Sequence, residues 1–349
     1  MSDTHQQVTR GPLFRLTGVR ITGTGSCVAE KVVTNEDLAA LGCDPEWIIK
    51  RTGIRERRHA PEGVATSDLA IVAAERALAT AMDNEGIDPA EIDLLLLGTF
   101  TPDRLLPQTA TLVQDRLGLS CPAMDLVAAC AGFMYALVTG SQYIATGAAR
   151  NVLVIGADTN TRVLNKDDKK TFPLFGDGAG AVVLSRGTEE QGMLAATLGA
   201  DGSGTDLLTR RMGGTEQPFS LNGAAVPDAA GCMPWLMEMD GRPVFKWAVR
   251  LLEDTFDHVL TAAERDKEAV KLWLLHQANA RILDAATDSM GVPRERVVKH
   301  LDRYGNTSAG SIPIALDESY RNGLIESGDE LLMCGFGAGL SWGTALWKW

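Results

Sequence analysis

The sequence is short of several things at once. Aromatic residues make up 6% of its 349 positions, with four tyrosines and five histidines, and Lys plus Arg number 33 against 45 Asp plus Glu. A net charge of −12 excludes bulk electrostatic attraction to nucleic acid or to an anionic membrane surface, though not a local basic patch for a phosphorylated ligand. No run approaches the roughly 18 apolar residues of a membrane-spanning helix, and residues 1–11 are polar with no apolar signal core. The six cysteines, Cys27, Cys43, Cys121, Cys130, Cys232 and Cys334, show neither a Cys-x-x-Cys pair nor Cys/His metal spacing. That usage points to reduced thiols, no bound metal and a cytoplasmic protein. What remains is an ordinary globular composition, 45% hydrophobic and 22% charged, long enough for one large α/β domain or two fused halves.

The most informative segment surrounds Cys130. Residues 124–127 read as the end of a buried strand, and apolar residues from Phe133 to Ile144 recur at helical spacing. A thiol at such a junction faces the unpaired N–H groups of a helix N-terminus, a field expected to favour thiolate and lower its pKa. Small neighbours would let a carbonyl approach. A buried structural cysteine fits this segment equally well. Two further junctions bear on the choice. Leu272–Leu275 runs into His276-Gln-Ala-Asn279, and Asn306 lies in Tyr304-Gly-Asn-Thr-Ser308. Cys, His and Asn at three junctions of one chain suit acyl chemistry, as nucleophile, imidazole and amide donor.

The chain also repeats itself. Short apolar runs (Leu94–Leu97, Asn151–Gly156, Ala181–Leu184) alternate with helix-length segments, one of them capped near Thr66–Asp68. Leu94 precedes Cys130 by 36 residues and Leu272 precedes Asn306 by 34. Each then lies 17 residues before a glycine, Gly147 or Gly323. Both halves end on glycine-rich stretches, Phe175–Leu184 and Phe336–Leu346, read as hairpins. This predicts a duplicated unit divided within Ser185–Gln191, giving halves of 1–188 and 189–349, with Cys130 and Asn306 at equivalent junctions facing one cleft.

Six blocks in order carry a family resemblance: Trp47-Ile-Ile-Lys-Arg-Thr-Gly-Ile-Arg55, Ala128-Ala-Cys-Ala-Gly-Phe133, Phe175-Gly-Asp-Gly-Ala-Gly180, His276-Gln-Ala-Asn279, Tyr304-Gly-Asn-Thr-Ser308 and the C-terminal glycine-rich turn. From Leu16 to Trp349 the chain resembles the β-ketoacyl-acyl-carrier-protein synthase III family, initiating ketosynthases of fatty-acid synthesis. The resemblance implies a thiolase fold, duplicated α/β halves stacked as a five-layer αβαβα sandwich, and a homodimer. It implies a decarboxylating condensation of an acyl-CoA primer with malonyl-carrier protein through an acyl-Cys130 intermediate, without metal or redox cofactor; acyl-CoA is a substrate. His276 and Asn306 would serve the malonyl half-reaction, and the N–H groups of Cys130 and Ala338 the oxyanion. Trp47, Arg51, Lys169 and Asn279 would hold coenzyme A, Arg281 the carrier protein, and Leu106 and Phe336 would bound the acyl pocket.

Several positions depart from the family pattern. Lys169 stands where an arginine is usual, which loses a bidentate fork. Asp288-Ser289 replaces a common lysine pair and Asp284 adds a negative charge, so the docking face is expected to attract an acidic carrier less well. Leu106 replaces a frequent phenylalanine, leaving room for a longer primer, and the loop 210–235 is long. These features keep open a secondary-metabolism relative that passes the acyl group to another acceptor. A cysteine hydrolase and an inactive partner subunit are further rivals. The apolar setting of His276 opposes the first, since water must be kept out. The intact Cys, His and Asn oppose the second.

Overall fold

The structure, a computed structural model, describes residues 11–219 and 233–349. The interior of the long loop, 220–232, together with Cys232 and residues 1–10, lies outside the described residues.

Two five-stranded sheets form the frame. The first runs in the order Val19–Val28, Gly178–Arg186, Asn151–Asp158, Leu94–Gly98, Ala123–Leu126; Leu94–Gly98 is parallel to both its neighbours. The second runs Leu13–Thr17, Gly192–Ala200, Ser341–Lys348, Glu330–Gly337, Val270–Leu275, with the last pair parallel. From its second strand onward, this sheet follows the same order of directions as the first. Val297 completes the likeness with a single parallel bridge to Trp273, where the first sheet has the strand Ala123–Leu126.

Strand alternation builds the layers. In Leu94–Leu97, Leu94 and Leu96 join the central core while Leu95 and Leu97 join an outer one. The helix Thr66–Glu85 covers the outer face of the first sheet, and Gly241–Ala262 with Ala280–Ser289 covers that of the second. Gly132–Ala145 and Ser311–Arg321 pack between the sheets. The result is the five-layer αβαβα sandwich of the thiolase fold, as expected. The strand Leu13–Thr17 crosses over and pairs with Gly192–Ala200 of the second sheet.

One local expectation is met and two change. The cap of Thr66–Glu85 is supplied by Asp68, whose carboxylate accepts the N–H of Ala65 at 2.8 Å; the Thr66 hydroxyl donates instead to the carbonyl of Thr101. The stretch at Phe175–Leu184 is a connection into a strand rather than a hairpin. Its glycines let the two halves approach, since a Cβ on Gly176 would stand 2.1 Å from the carbonyl oxygen of Tyr304. Finally, Cys130 is equivalent to Ala309, not Asn306. Each follows a non-glycine residue at positive φ, Ala129 at 46° and Ser308 at 52°, and each sits in one helical turn ahead of a central helix. The matching 17-residue counts arise because the second central helix has 11 residues where the first has 14.

Candidate active site

Cys130 is buried at the mouth of the helix Gly132–Ala145, in the turn Ala129–Ala131. Backbone from the opposite half lies against it. A Cβ on Gly337 would stand 2.9 Å from both Cβ and N of Cys130, so only glycine lets the Glu330–Gly337 strand end there. Ala338 follows in the turn and lines a cavity together with Cys130. The Ser308 hydroxyl donates to Cys130 Sγ at 3.2 Å.

Burial pushes the Cys130 thiol up to about 12, with the Ser308 hydrogen bond pulling the other way. Burial thus moves the thiol in the direction opposite to that expected of a helix terminus, favouring the neutral form. His276 is likewise enclosed and neutral, lowered to about 3 mainly by burial. Its Nδ1 is 3.1 Å from the Ser311 hydroxyl, and its ring meets Phe336 edge-on at 5.1 Å between centroids. Asn306 is held on both sides. Its N–H donates to the carbonyl of Leu174, and its Oδ1 accepts the N–H of Ser308 at 2.8 Å. With the side-chain oxygen engaged, the amide NH₂ is the end left to donate.

Behind these groups lies a network the sequence did not reveal. Asp158 is buried, accepts the hydroxyls of Thr99 and Thr101 and the N–H groups of Phe100 and Thr101, and takes the N–H of Ala309 on its other oxygen. It thereby fixes the turn that carries Ser308 against Cys130. Asp158 and Ser308 contact each other only through the fold, 150 residues apart in sequence, so no local motif marks the pair.

One cavity of about 490 Å³ collects Cys130, His276, Asn306 and Phe336 with Trp47, Arg51, Lys169 and Asn279. Asp44 caps the helix Pro45–Thr52 on which Trp47 and Arg51 stand one turn apart, the guanidinium 5.9 Å from the indole centroid. Asn279 caps the helix Ala280–Ser289 through the N–H of Arg281 and donates to the carbonyl of Arg51, tying the two walls together. Arg281 lies outside this cavity, over the ring of Phe245 at 5.6 Å. Leu106 is 84% exposed and lines neither cavity at Cys130, while Phe336 belongs to the cavity of His276. A second cavity, about 370 Å³, opens on the other side of Cys130.

The docking face also differs from expectation. Asp288 pairs with Arg294 at 2.8 Å and Asp284 with Lys299, so neither carboxylate is left to repel an acidic partner. On the adjoining helix Arg242, Lys246 and Arg250 are exposed at four-residue intervals, a basic ridge beside Arg281 that the sequence reading missed. The i, i+4, i+8 spacing was its available signal.

Among the described residues, no helix is long and apolar enough to cross a membrane, and no cluster of three or more His, Cys, Asp or Glu is placed to hold a metal. The five described cysteines are free.

The enclosed histidines give a pH signature. The folded values of His276 and His300 lie below the ordinary 6.5, so the folded protein refuses protons that the unfolded chain accepts. Their contribution is therefore intact above pH 6.5 and is lost as pH falls. For His276 it amounts to about 2 kcal/mol between pH 7 and 5. Asp158 and Asp177, raised by burial, tilt stability the other way, so the informative quantity is a difference. Denaturant titrations at both pH values should show His276→Gln losing about 2 kcal/mol less than the parent; identical pH dependence would contradict a neutral buried imidazole.

Fold and site together define a thiolase-fold acyltransferase with a Cys-His-Asn set. Residues 124–202 match the model of 3-oxoacyl-[acyl-carrier-protein] synthase III, and residues 260–349 match that of its C-terminal region. A β-ketoacyl-[acyl-carrier-protein] synthase III of Rhodopirellula baltica is 51% identical, the match covering 96% of this chain and 99% of the relative. That of Natranaerobius thermophilus is 42% identical over 96% of this chain and 100% of its own. The crystal structure of the Aquifex aeolicus synthase III superposes with a TM-score of 0.85 at 40% identity, covering 95% of this chain and all of that one. The chain belongs to the β-ketoacyl-acyl-carrier-protein synthase III family.

Proposed function

We propose that the protein initiates fatty-acid synthesis by condensing an acyl-CoA primer with malonyl-carrier protein. The observation that carries this reading is the convergence of Cys130, His276 and Asn306 on one enclosed cavity whose outer wall bears Trp47 and Arg51. In the first stage, Cys130 Sγ attacks the thioester carbon. Because the resting thiol is neutral, its proton leaves as the S–C bond forms and ends on the departing coenzyme A sulfur. The N–H groups of Cys130 and Ala338 receive the oxyanion, Trp47 stacks on the adenine, and Arg51, Lys169 and Asn279 complete the coenzyme A site.

In the second stage, malonyl-carrier protein enters the vacated cavity. The Asn306 NH₂ and His276 donate to the malonyl thioester oxygen; with Nδ1 engaged by Ser311, the donor on His276 is Nε2. CO2 leaves, and the resulting enolate carbon attacks acyl-Cys130 to give the β-ketoacyl product. Phe336, packed on His276, keeps water away from the carbanion. The chain's own residues carry both stages, so we assign no metal or redox cofactor. The halves 1–188 and 189–349 then divide the labour, the first holding the nucleophile and the second the donors. We assign the protein to the cytoplasm.

The reaction is tested by loading with acyl-CoA and adding malonyl-carrier protein, with intact-mass and product analysis. The expected sequence is a stable acyl adduct on Cys130, then β-ketoacyl product. Rapid release of free acid would make the protein a hydrolase instead. The paired acids on the docking face remove the main argument for a different acceptor.

The acidic carrier is proposed to meet Arg281 together with Lys246 and Arg250. Exposed charges act over about 8–10 Å at physiological salt. Arg281→Glu combined with Lys246→Glu should therefore raise KM for malonyl-carrier protein by about tenfold or more at low salt while sparing acyl-CoA loading. Unchanged carrier kinetics would place docking elsewhere.

A homodimer is also proposed. Ala123–Leu126 is an edge strand of the first sheet, and the neighbouring Leu105, Leu106 and Val127 are 72%, 84% and 77% exposed. A second copy would cover both the edge and these side chains, bringing Leu106 to the partner's acyl cavity. Sedimentation at nanomolar concentration should show a dimer; an active monomer would refute it.

A further inference from the structure

The cavity on the far side of Cys130 is not uniformly apolar. Phe100, Leu208 and Met237 share its wall with Arg210 and with the hydroxyl-bearing Thr205 and Ser341. Arg210 is half-buried, and its Nε donates to the carbonyl of Trp235 at 3.0 Å. The nearest acids are engaged elsewhere: Asp206 and Glu238 both pair with Arg211, at 3.1 and 3.5 Å. Arg210 has no carboxylate partner among the described residues, and burial pulls its pKa down. A cation withdrawn from water and left unpaired is costly unless something supplies the opposite charge.

The two cavities share Cys130, Phe175 and Leu208. A thioester seated with its coenzyme A arm in the first therefore has the second into which its acyl chain can extend. A plain alkyl chain there would strip water from the guanidinium and return nothing. A carboxylate would accept two parallel N–H donors from its Nη atoms, the geometry that arginine offers and lysine does not.

We propose that Arg210 selects acyl primers whose far end is a carboxylate, the mono-thioesters of dicarboxylic acids, over alkanoyl thioesters of the same length. This rests on the acyl-Cys130 reading given above. Loading balances without any further reactant. The bond from Cys130 Sγ to the acyl carbon forms, the bond from that carbon to the coenzyme A sulfur breaks, and the thiol proton goes to the departing sulfur. The distal carboxylate passes through unchanged and remains on the condensation product.

The test compares initial rates of Cys130 loading by intact mass, using pairs of coenzyme A thioesters of equal carbon number from four to eight, one alkanoyl and one ω-carboxyalkanoyl, with no malonyl acceptor present. At the best-fitting length the carboxylated primer should load with a kcat/KM at least about tenfold higher, because a site built around a polar partner rejects the analogue that lacks it. Arg210→Leu should invert the preference, shifting the ratio by about 10²-fold, and Arg210→Lys should keep its sign. Equal loading or an alkanoyl preference in the unaltered protein would overturn the proposal, as would an unchanged ratio in Arg210→Leu. Loading from neither class would overturn it together with the acyl-enzyme reading. Selective loading of the carboxylated primer without later condensation would sustain it and remove only the condensation step.

Discussion

Cys130→Ala should form no acyl adduct with any acyl-CoA, and overall condensation should fall by on the order of 10⁶-fold, the scale seen when a covalent nucleophile is deleted. The expectation follows from enclosure as much as from chemistry. Cys130 is the cysteine that lines both cavities. Of the remaining described cysteines, Cys334 is buried within a strand and bonded to Thr344, and Cys27, Cys43 and Cys121 line neither cavity. Among the described residues no second thiol is positioned to substitute. Intact-mass spectrometry after incubation with acyl-CoA checks this directly, and an adduct persisting on the variant would reassign the nucleophile. The cavity that alanine leaves is small, so thermal unfolding should change little and a folding defect would not explain the loss.

His276→Ala and Asn306→Ala should separate the two half-reactions. Neither side chain is needed to hold the Cys130 sulfur, which is engaged by Ser308 and backed by the Gly337 backbone. Loading should therefore survive within a few-fold, while malonyl decarboxylation falls by about 10²- to 10³-fold, the value of one preorganised donor to a developing oxyanion. Asn306→Ala carries an extra cost, since its Oδ1 also takes the N–H of Ser308. Asn306→Asp keeps that acceptor, loses the donor and adds a charge that opposes the developing oxyanion. It should therefore lower decarboxylation at least as far as alanine while Ser308 stays anchored. Equal loss of both half-reactions in all three variants would remove the assigned division of labour.

Much of this was legible in the sequence because it is written locally. The run Leu94–Leu97 and the glycines after each central helix announce the layers, and the blocks around Cys130, His276 and Asn306 lie at element ends where a cleft forms. Repeat spacing alone gave the wrong partner for Cys130, because a central helix three residues shorter mimicked an equal interval. The sign of the Cys130 shift was not legible either. A helix terminus can be read from a string of residues, but the depth of enclosure depends on Gly337 and Phe336 arriving from the other half. The same holds for the docking face. Asp284 and Asp288 look repulsive in isolation, and Lys299 and Arg294 neutralise them only once the chain turns back. Leu106 illustrates a different limit: its side chain is exposed, and the second copy proposed to cover it cannot be read from one chain.

The neutral state of the Cys130 thiol bears on how the protein survives between turnovers. Peroxide and alkylating agents attack thiolates, and their damage tracks the thiolate fraction and the accessibility of the sulfur. The two cavities leave the Cys130 sulfur within reach of small reagents, so what protection the idle protein has comes from the proton on the sulfur rather than from enclosure. The group becomes nucleophilic only while a thioester carbonyl lies against it, which confines its reactivity to the moments when the correct electrophile is bound.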